Sequence, residues 1–228
     1  MRKIMKTTAV GAGIGAMVLA GSAAAFASHT SVTVGGSSSP AGPVAVTGTN
    51  TSQIGFETDF GVPLYCDTAS VEGNVLRGAS VNVGNKVGEI TDLLFSDCTA
   101  TALDYPVIVT MSAGDFDVRT HPANAGDPVP VTITGVDAHV RSTGSQPYAC
   151  EMFAEGSVDA IIHPGAGGVD GSVELVPGSF NLAVTAGDGN GNPSTSSCGG
   201  EIWTGDVAQP LFGDFALSTG GAGVISHG

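Results

Sequence analysis

The sequence predicts an all-β protein, an antiparallel β-sandwich or flattened barrel of about a dozen short strands stapled by two disulfides. Three observations point there. Apolar residues recur with a period of two in one short run after another. Gly, Pro, Asn and Asp interrupt those runs at short intervals, and no stretch beyond residue 27 keeps a 3.6-residue period without a Gly or Pro inside it. Four cysteines, Cys66, Cys98, Cys150 and Cys198, stand far apart in an acidic, glycine-rich chain.

Taken in order, the first 27 residues have the three parts of an export signal. Arg2, Lys3 and Lys6 supply positive charge, Val10 to Ala24 is apolar and small, and Ala25-Phe26-Ala27 ends in the A-x-A pattern. The apolar run is short for a membrane span and is broken by glycines, so cleavage near Ala27 and release outside the cell are expected. Residues 28–42, rich in Ser, Gly and Pro, read as a flexible or edge-strand leader, and residues 219–228 as a Gly-rich tail. Between them, residues 43–218 form the β domain.

Within that domain Ile54, Phe56, Thr58 and Phe60 alternate with Gly55, Glu57 and Asp59, which places one apolar face inward. Val71 to Val75, Val129 to Val136 and Ser157 to Ile161 repeat the pattern. Val107-Ile108-Val109 and Leu182-Ala183-Val184 are continuous apolar runs, the mark of strands covered on both faces. Turns fall at Gly84-Asn85, Ala125 to Pro128, Pro164 to Gly168 and Gly187 to Pro193. Two halves, 43–120 and 129–218, look alike. Pro63-Leu64-Tyr65-Cys66 precedes Gly73 much as Pro147-Tyr148-Ala149-Cys150 precedes Gly156, and Ala113-Gly114-Asp115 matches Ala186-Gly187-Asp188.

Four cysteines allow three pairings, and composition alone does not choose among them. The half-repeat favours Cys66 with Cys98 and Cys150 with Cys198, one staple in each half. A zinc site would need close Cys-x-x-Cys pairs, which are missing, and an exported chain favours disulfides.

Charge excludes some partners. The chain carries a formal net charge of −14, and removal of the signal leaves only Arg77, Lys86, Arg119 and Arg141 against 21 acidic residues. Such a surface repels phosphate backbones and anionic headgroups, so no nucleic-acid partner is expected. The mature chain has no apolar run long enough to span a bilayer as a helix. A protein or polysaccharide of the envelope or extracellular space is the partner class that remains.

Motifs for chemistry are few. A Gly-x-Ser-x-Gly elbow is missing. His121 and His163 each precede a proline in a turn-like run, and His139 sits in a strand pattern facing solvent. Asp188, Asn190 and Asn192 have the 1, 3, 5 spacing of calcium ligands, but Pro193 stands where that loop needs glycine and Gly199 where it needs glutamate. A turn explains the string as well. Trp203 is the only tryptophan, which is meagre for a sugar platform. No catalytic residue and no cofactor is therefore assigned.

Tyr65-Cys66, Phe95-Ser96-Asp97-Cys98, Gly135 to Val140, Cys150, Cys198-Gly199, Gly205-Asp206 and Phe212 to Phe215 resemble the pattern of uncharacterised secreted two-disulfide β proteins of actinobacterial type. The resemblance implies an exported β scaffold and no particular activity. The chain is also similar to the shorter acidic antibiotic-carrying β-sandwich proteins of the same bacteria, whose cysteine loops are tighter. The expected function is thus a non-catalytic secreted or envelope protein acting through surface contacts. The alternatives are a carrier of a small apolar ligand lined by Phe56, Phe60, Phe95 and Leu182, a secreted hydrolase, and a calcium-dependent adhesion module.

Overall fold

The computed structural model describes residues 31–100, 105–112, 114–143, 149–166, 168–178 and 181–228. The stretch read as an export signal, the first three leader residues, and Ala113, Pro147, Tyr148 and Gly167 lie outside the described residues. Strands follow one another as β1 (Val32–Val34), β2 (Gly42–Asn50), β3 (Ile54–Thr58), β4 (Pro63–Arg77), β5 (Lys86–Ala100), β6 (Tyr105–Ser112), β7 (Asp115–Val118) and β8 (Val129–Ser142). They continue as β9 (Glu151–Pro164), β10 (Gly171–Leu175), β11 (Leu182–Ala186), β12 (Ser196–Ser197), β13 (Ile202–Trp203), β14 (Val207–Phe212), β15 (Asp214–Ser218) and β16 (Ile225–His227). A 3₁₀ turn at Cys198–Gly200 is the one helical element among the described residues.

The pairings close on themselves. One half of each long strand, β4, β5, β8 and β9, belongs to an upper ring that runs β10, β15, β2, β4, β5, β7, β8, β9 and back to β10. The other halves belong to a lower ring of β4, β3, β14, β11, β9, β8, β6 and β5, which returns to β4. The exchange is visible in the registers. Along β4, Pro63 to Cys66 face β3 and Ser70 to Arg77 face β2. Along β9, Met152 to Gly156 face β11 and Ala160 to Pro164 face β10. The molecule is a long antiparallel barrel with eight strands at either level. Eight is the number that leaves an interior for side chains or one small ligand.

Alternation explains the wall. In β8, Val129, Val131, Ile133, Val136, Ala138 and Val140 are buried, while Thr132, Thr134, Asp137, His139 and Arg141 point outward. The inward phase shifts by one at Gly135, the extra residue of a bulge opposite Gly156. Its φ of 71° suits glycine. A polar exterior around an apolar interior is the reverse of a lipid-embedded barrel. Among the described residues, no helix is long and apolar enough to cross a membrane.

Two sequence expectations change. The strands are not uniformly short, since β4 and β5 each have 15 residues and β8 and β9 each have 14. Ile108 is 42% exposed and Ala183 is exposed, so neither apolar run is covered on both faces. A barrel wall has one dry side, and the second face meets water. Leader residues 31–42, read as flexible or edge-strand, and the Gly-rich tail contribute edge strands. They supply β1, the first residue of β2, and β16, and the β1–β16 ribbon buries Val32, Val34, Ile225 and His227 across the upper end. Gly35 and Gly223 let that ribbon's backbones touch, because a Cβ on Gly223 would lie 2.8 Å from the Gly35 Cα. Neither half, 43–120 or 129–218, closes alone. β6 and β7 of residues 43–120 pair with β8, while β14 and β15 of residues 129–218 pair with β3 and β2.

Disulfides join Cys66 to Cys98 and Cys150 to Cys198. The first links directly opposed residues of β4 and β5. The second ties the residue before β9 to the 3₁₀ turn.

Candidate functional site

Side chains from both rings meet around an internal cavity of about 70 Å³. Its wall is apolar, with Phe56, Phe95, Phe116 and Phe215 presenting rings and Met111 and Val158 filling between them. Phe56 and Phe95 meet edge to face, with centroids 6.3 Å apart. Two smaller cavities continue the axis. One of about 30 Å³ lies beneath the β1–β16 ribbon and shares Val75, Val87 and Ile162 with the main space. One of about 20 Å³ lies toward the lower end and shares Phe56.

The chemistry of this space is exclusion of water. Glu89 borders it, but its carboxylate is held by Lys86 at 2.6 Å and by the Asn74 amide at 3.0 Å. Those two donors, Lys86 first, hold the Glu89 carboxyl below its ordinary range. An apolar void of this kind stays dry. Left empty, 70 Å³ costs about 2 kcal/mol at the usual penalty per unit volume.

Of the four residues expected to line a ligand space, Phe56 and Phe95 do so. Phe60 falls in the turn after β3 and is 70% exposed, because β3 ends at Thr58 and the alternation stops with it. Leu182 is buried, but it packs where β11 meets β9 and is not part of the cavity wall. Phe116 and Phe215 were legible as alternating positions in Asp115-Phe116-Asp117-Val118 and Asp214-Phe215-Ala216-Leu217. What sequence could not supply was that distant strands converge on one axis.

A second cluster lies outside the wall. Glu151 is 3% exposed, and its carboxylate accepts from His139 Nε2 at 2.8 Å and from the Gly189 and Gly191 amides at 2.9 and 3.1 Å. Burial pushes this carboxyl up, but the hydrogen bonds from His139, Gly191 and Gly189 together outweigh it and hold it below the ordinary range. His139 stacks on Phe153 with centroids 4.5 Å apart. The histidine read as a solvent-facing strand residue is therefore on the outer face, yet half-buried and paired. His163 bonds to Glu174 at 2.8 Å, and His121 Nδ1 lies 3.1 Å from the Val81 carbonyl.

The calcium-spaced string is a turn organised by Asp188. One carboxylate oxygen accepts from the backbone amides of Asn190 and Asn192, and the other from the Asn192 side-chain amide. Those donors occupy the oxygens that a cation would need. Among the described residues no group of three or more His, Cys, Asp or Glu side chains is placed to hold a metal. Trp203 is 51% exposed beside an open polar groove that includes Asp188 and Ser196, and its indole N–H donates to the Gly200 carbonyl. Comparison with protein-family models, with curated proteins and with solved structures finds no match.

Proposed function

We propose that this protein is exported and carries a small apolar molecule inside its barrel, without catalysing a reaction. The observation that carries the reading is the apolar cavity of about 70 Å³ on the barrel axis, walled by four phenylalanine rings. A void costing about 2 kcal/mol is a large fraction of the roughly 5–15 kcal/mol that holds a domain folded. A guest that fills it recovers that loss. The first 27 residues, with their A-x-A end, and the two disulfides support export.

The test is a thermal-shift titration of the oxidised protein with benzene and cyclohexane, together with native mass spectrometry of protein taken from the medium of its own producer. A guest should raise Tm in the native chain. In Val158→Phe, whose added ring occupies the space, the rise should vanish while the far-ultraviolet spectrum stays β. No rise with either guest and no co-purifying small molecule would sink the proposal. A purely surface-acting role is favoured by one observation, the exposed indole of Trp203 beside its polar groove. That role gives the cavity no use.

A further inference from the structure

Among the described residues, His227 at the upper end has a buried ring nitrogen without a hydrogen-bond partner. It belongs to β16, is 4% exposed, and lines the cavity beneath the β1–β16 ribbon together with Val32, Val129 and Ile225. That cavity adjoins the main one through Val75, Val87 and Ile162. The ring's Nε2 lies 2.8 Å from the Asp127 carbonyl oxygen. A carbonyl can only accept, so Nε2 carries the hydrogen, and in the neutral form of the ring Nδ1 is then the acceptor. Nδ1 is buried and has no hydrogen-bond partner among the described residues. A buried acceptor left without a donor is costly and calls for an explanation in any native structure.

We propose that His227 Nδ1 accepts a hydrogen bond from the hydroxyl group of the carried molecule, so that the natural ligand is a small apolar alcohol or phenol. The proposal rests on the carrier reading and names its ligand class. The apolar body occupies the main cavity. Nδ1 presents no accessible surface, so the Val75, Val87 and Ile162 side chains between the two spaces must shift for the hydroxyl to reach it. A carboxylate is disfavoured, since it would bring acceptor to acceptor in an apolar enclosure. A bare hydrocarbon fills the space but leaves Nδ1 as it was. The Asp127 bond fixes the ring's orientation, so Nδ1 need not be turned for binding.

The experiment compares cyclohexanol, methylcyclohexane and cyclohexanecarboxylate as guests of the oxidised protein. Affinities come from calorimetry, and the nitrogen-15 shifts of the His227 ring are followed in the same titrations. Cyclohexanol should bind about 10-fold tighter than methylcyclohexane, the worth of one neutral hydrogen bond. It should also move the Nδ1 resonance, and His227→Phe should erase the preference while still binding methylcyclohexane. Equal affinity for alcohol and hydrocarbon, an unmoved Nδ1, or preference for the carboxylate would overturn the proposal and leave the carrier reading standing. A resident water on Nδ1 would produce the first two of those results. Failure of all three guests to bind would overturn both. Should His227→Phe not fold, the ring resonance and the alcohol-to-hydrocarbon ratio in the native chain decide alone.

Discussion

Glu151 shows how one carboxylate can hold a loop. It is nearly inaccessible to solvent, yet three donors converge on it, two of them amides of the 187–193 turn. Its own backbone N–H donates to Ser197 Oγ at 2.8 Å, next to Cys198. Because the folded carboxyl sits below the ordinary glutamate value of 4.5, its contribution is fully present above that value. It is lost as the pH falls through the lower, folded value. Glu151→Gln should destabilise the protein by about 1–3 kcal/mol at neutral pH. It should also weaken the acid dependence below pH 4.5, as read from urea melts at a series of pH values. An unchanged acid limb in the variant would assign that dependence to other carboxylates. Nothing in the local sequence marked Glu151. Its partners lie 12, 38 and 40 residues away in the chain.

At the level of elements, each long strand must leave one ring and enter the other, and a glycine lies close to two of these crossings. Gly73 is opposite the point where β5 passes from β7 to β6, and Gly156 is at the end of the β9 segment paired with β11. Gly73 of β4 sits where the register with β5 slips, and a Cβ there would lie 2.2 Å from the Glu89 carbonyl oxygen. Gly156 of β9 faces the β8 bulge, has φ of 148°, and would put a Cβ 2.1 Å from the Asn181 carbonyl oxygen. No side chain fits at either distance, so the partner backbone would have to move. Gly73→Ala and Gly156→Ala should each cost at least about 2 kcal/mol in denaturant melts. Gly84→Ala is a contrast: a Cβ there meets nothing within 4 Å, although φ is 81°. It should cost about 1 kcal/mol, from backbone conformation alone. If the two strand glycines cost no more than Gly84, the close approach has been misjudged. The half-repeat had singled out Gly73 and Gly156 as equivalent from their spacing after a cysteine. The period-two pattern likewise made most strands readable. It did not reveal that some strands are long enough to serve two rings, because bulges such as the one at Gly135 reset the phase and make one strand look like two.

For the whole molecule, stability and internal space are linked. The core is rich in Val and Ala, with few large side chains, and it encloses unfilled volume along its axis. The crosslinks offset that weakness. Their sequence separations of 32 and 48 residues correspond to about 3–4 kcal/mol each in the chain-entropy picture. Replacing Cys150 and Cys198 together by Ser should lower stability by about that much, and replacing Cys66 and Cys98 should cost slightly less because the closed loop is shorter. Denaturant melts of the two double variants test the order. A reduced protein as stable as the oxidised one would show that the wall needs no staple.

From the order of residues alone came the all-β class, the alternation that decides which side chains point inward, the expectation of two disulfides, and the acidity that disfavours nucleic acid. Those properties are local or compositional, since a period of two or a charge total needs no knowledge of distant neighbours. The closed barrel, its capping ribbon, the shared cavity and the His227 nitrogen that is unpaired among the described residues were settled by tertiary structure. Each depends on which distant strands become neighbours, and pairing across a hundred residues leaves no mark in any one stretch of chain.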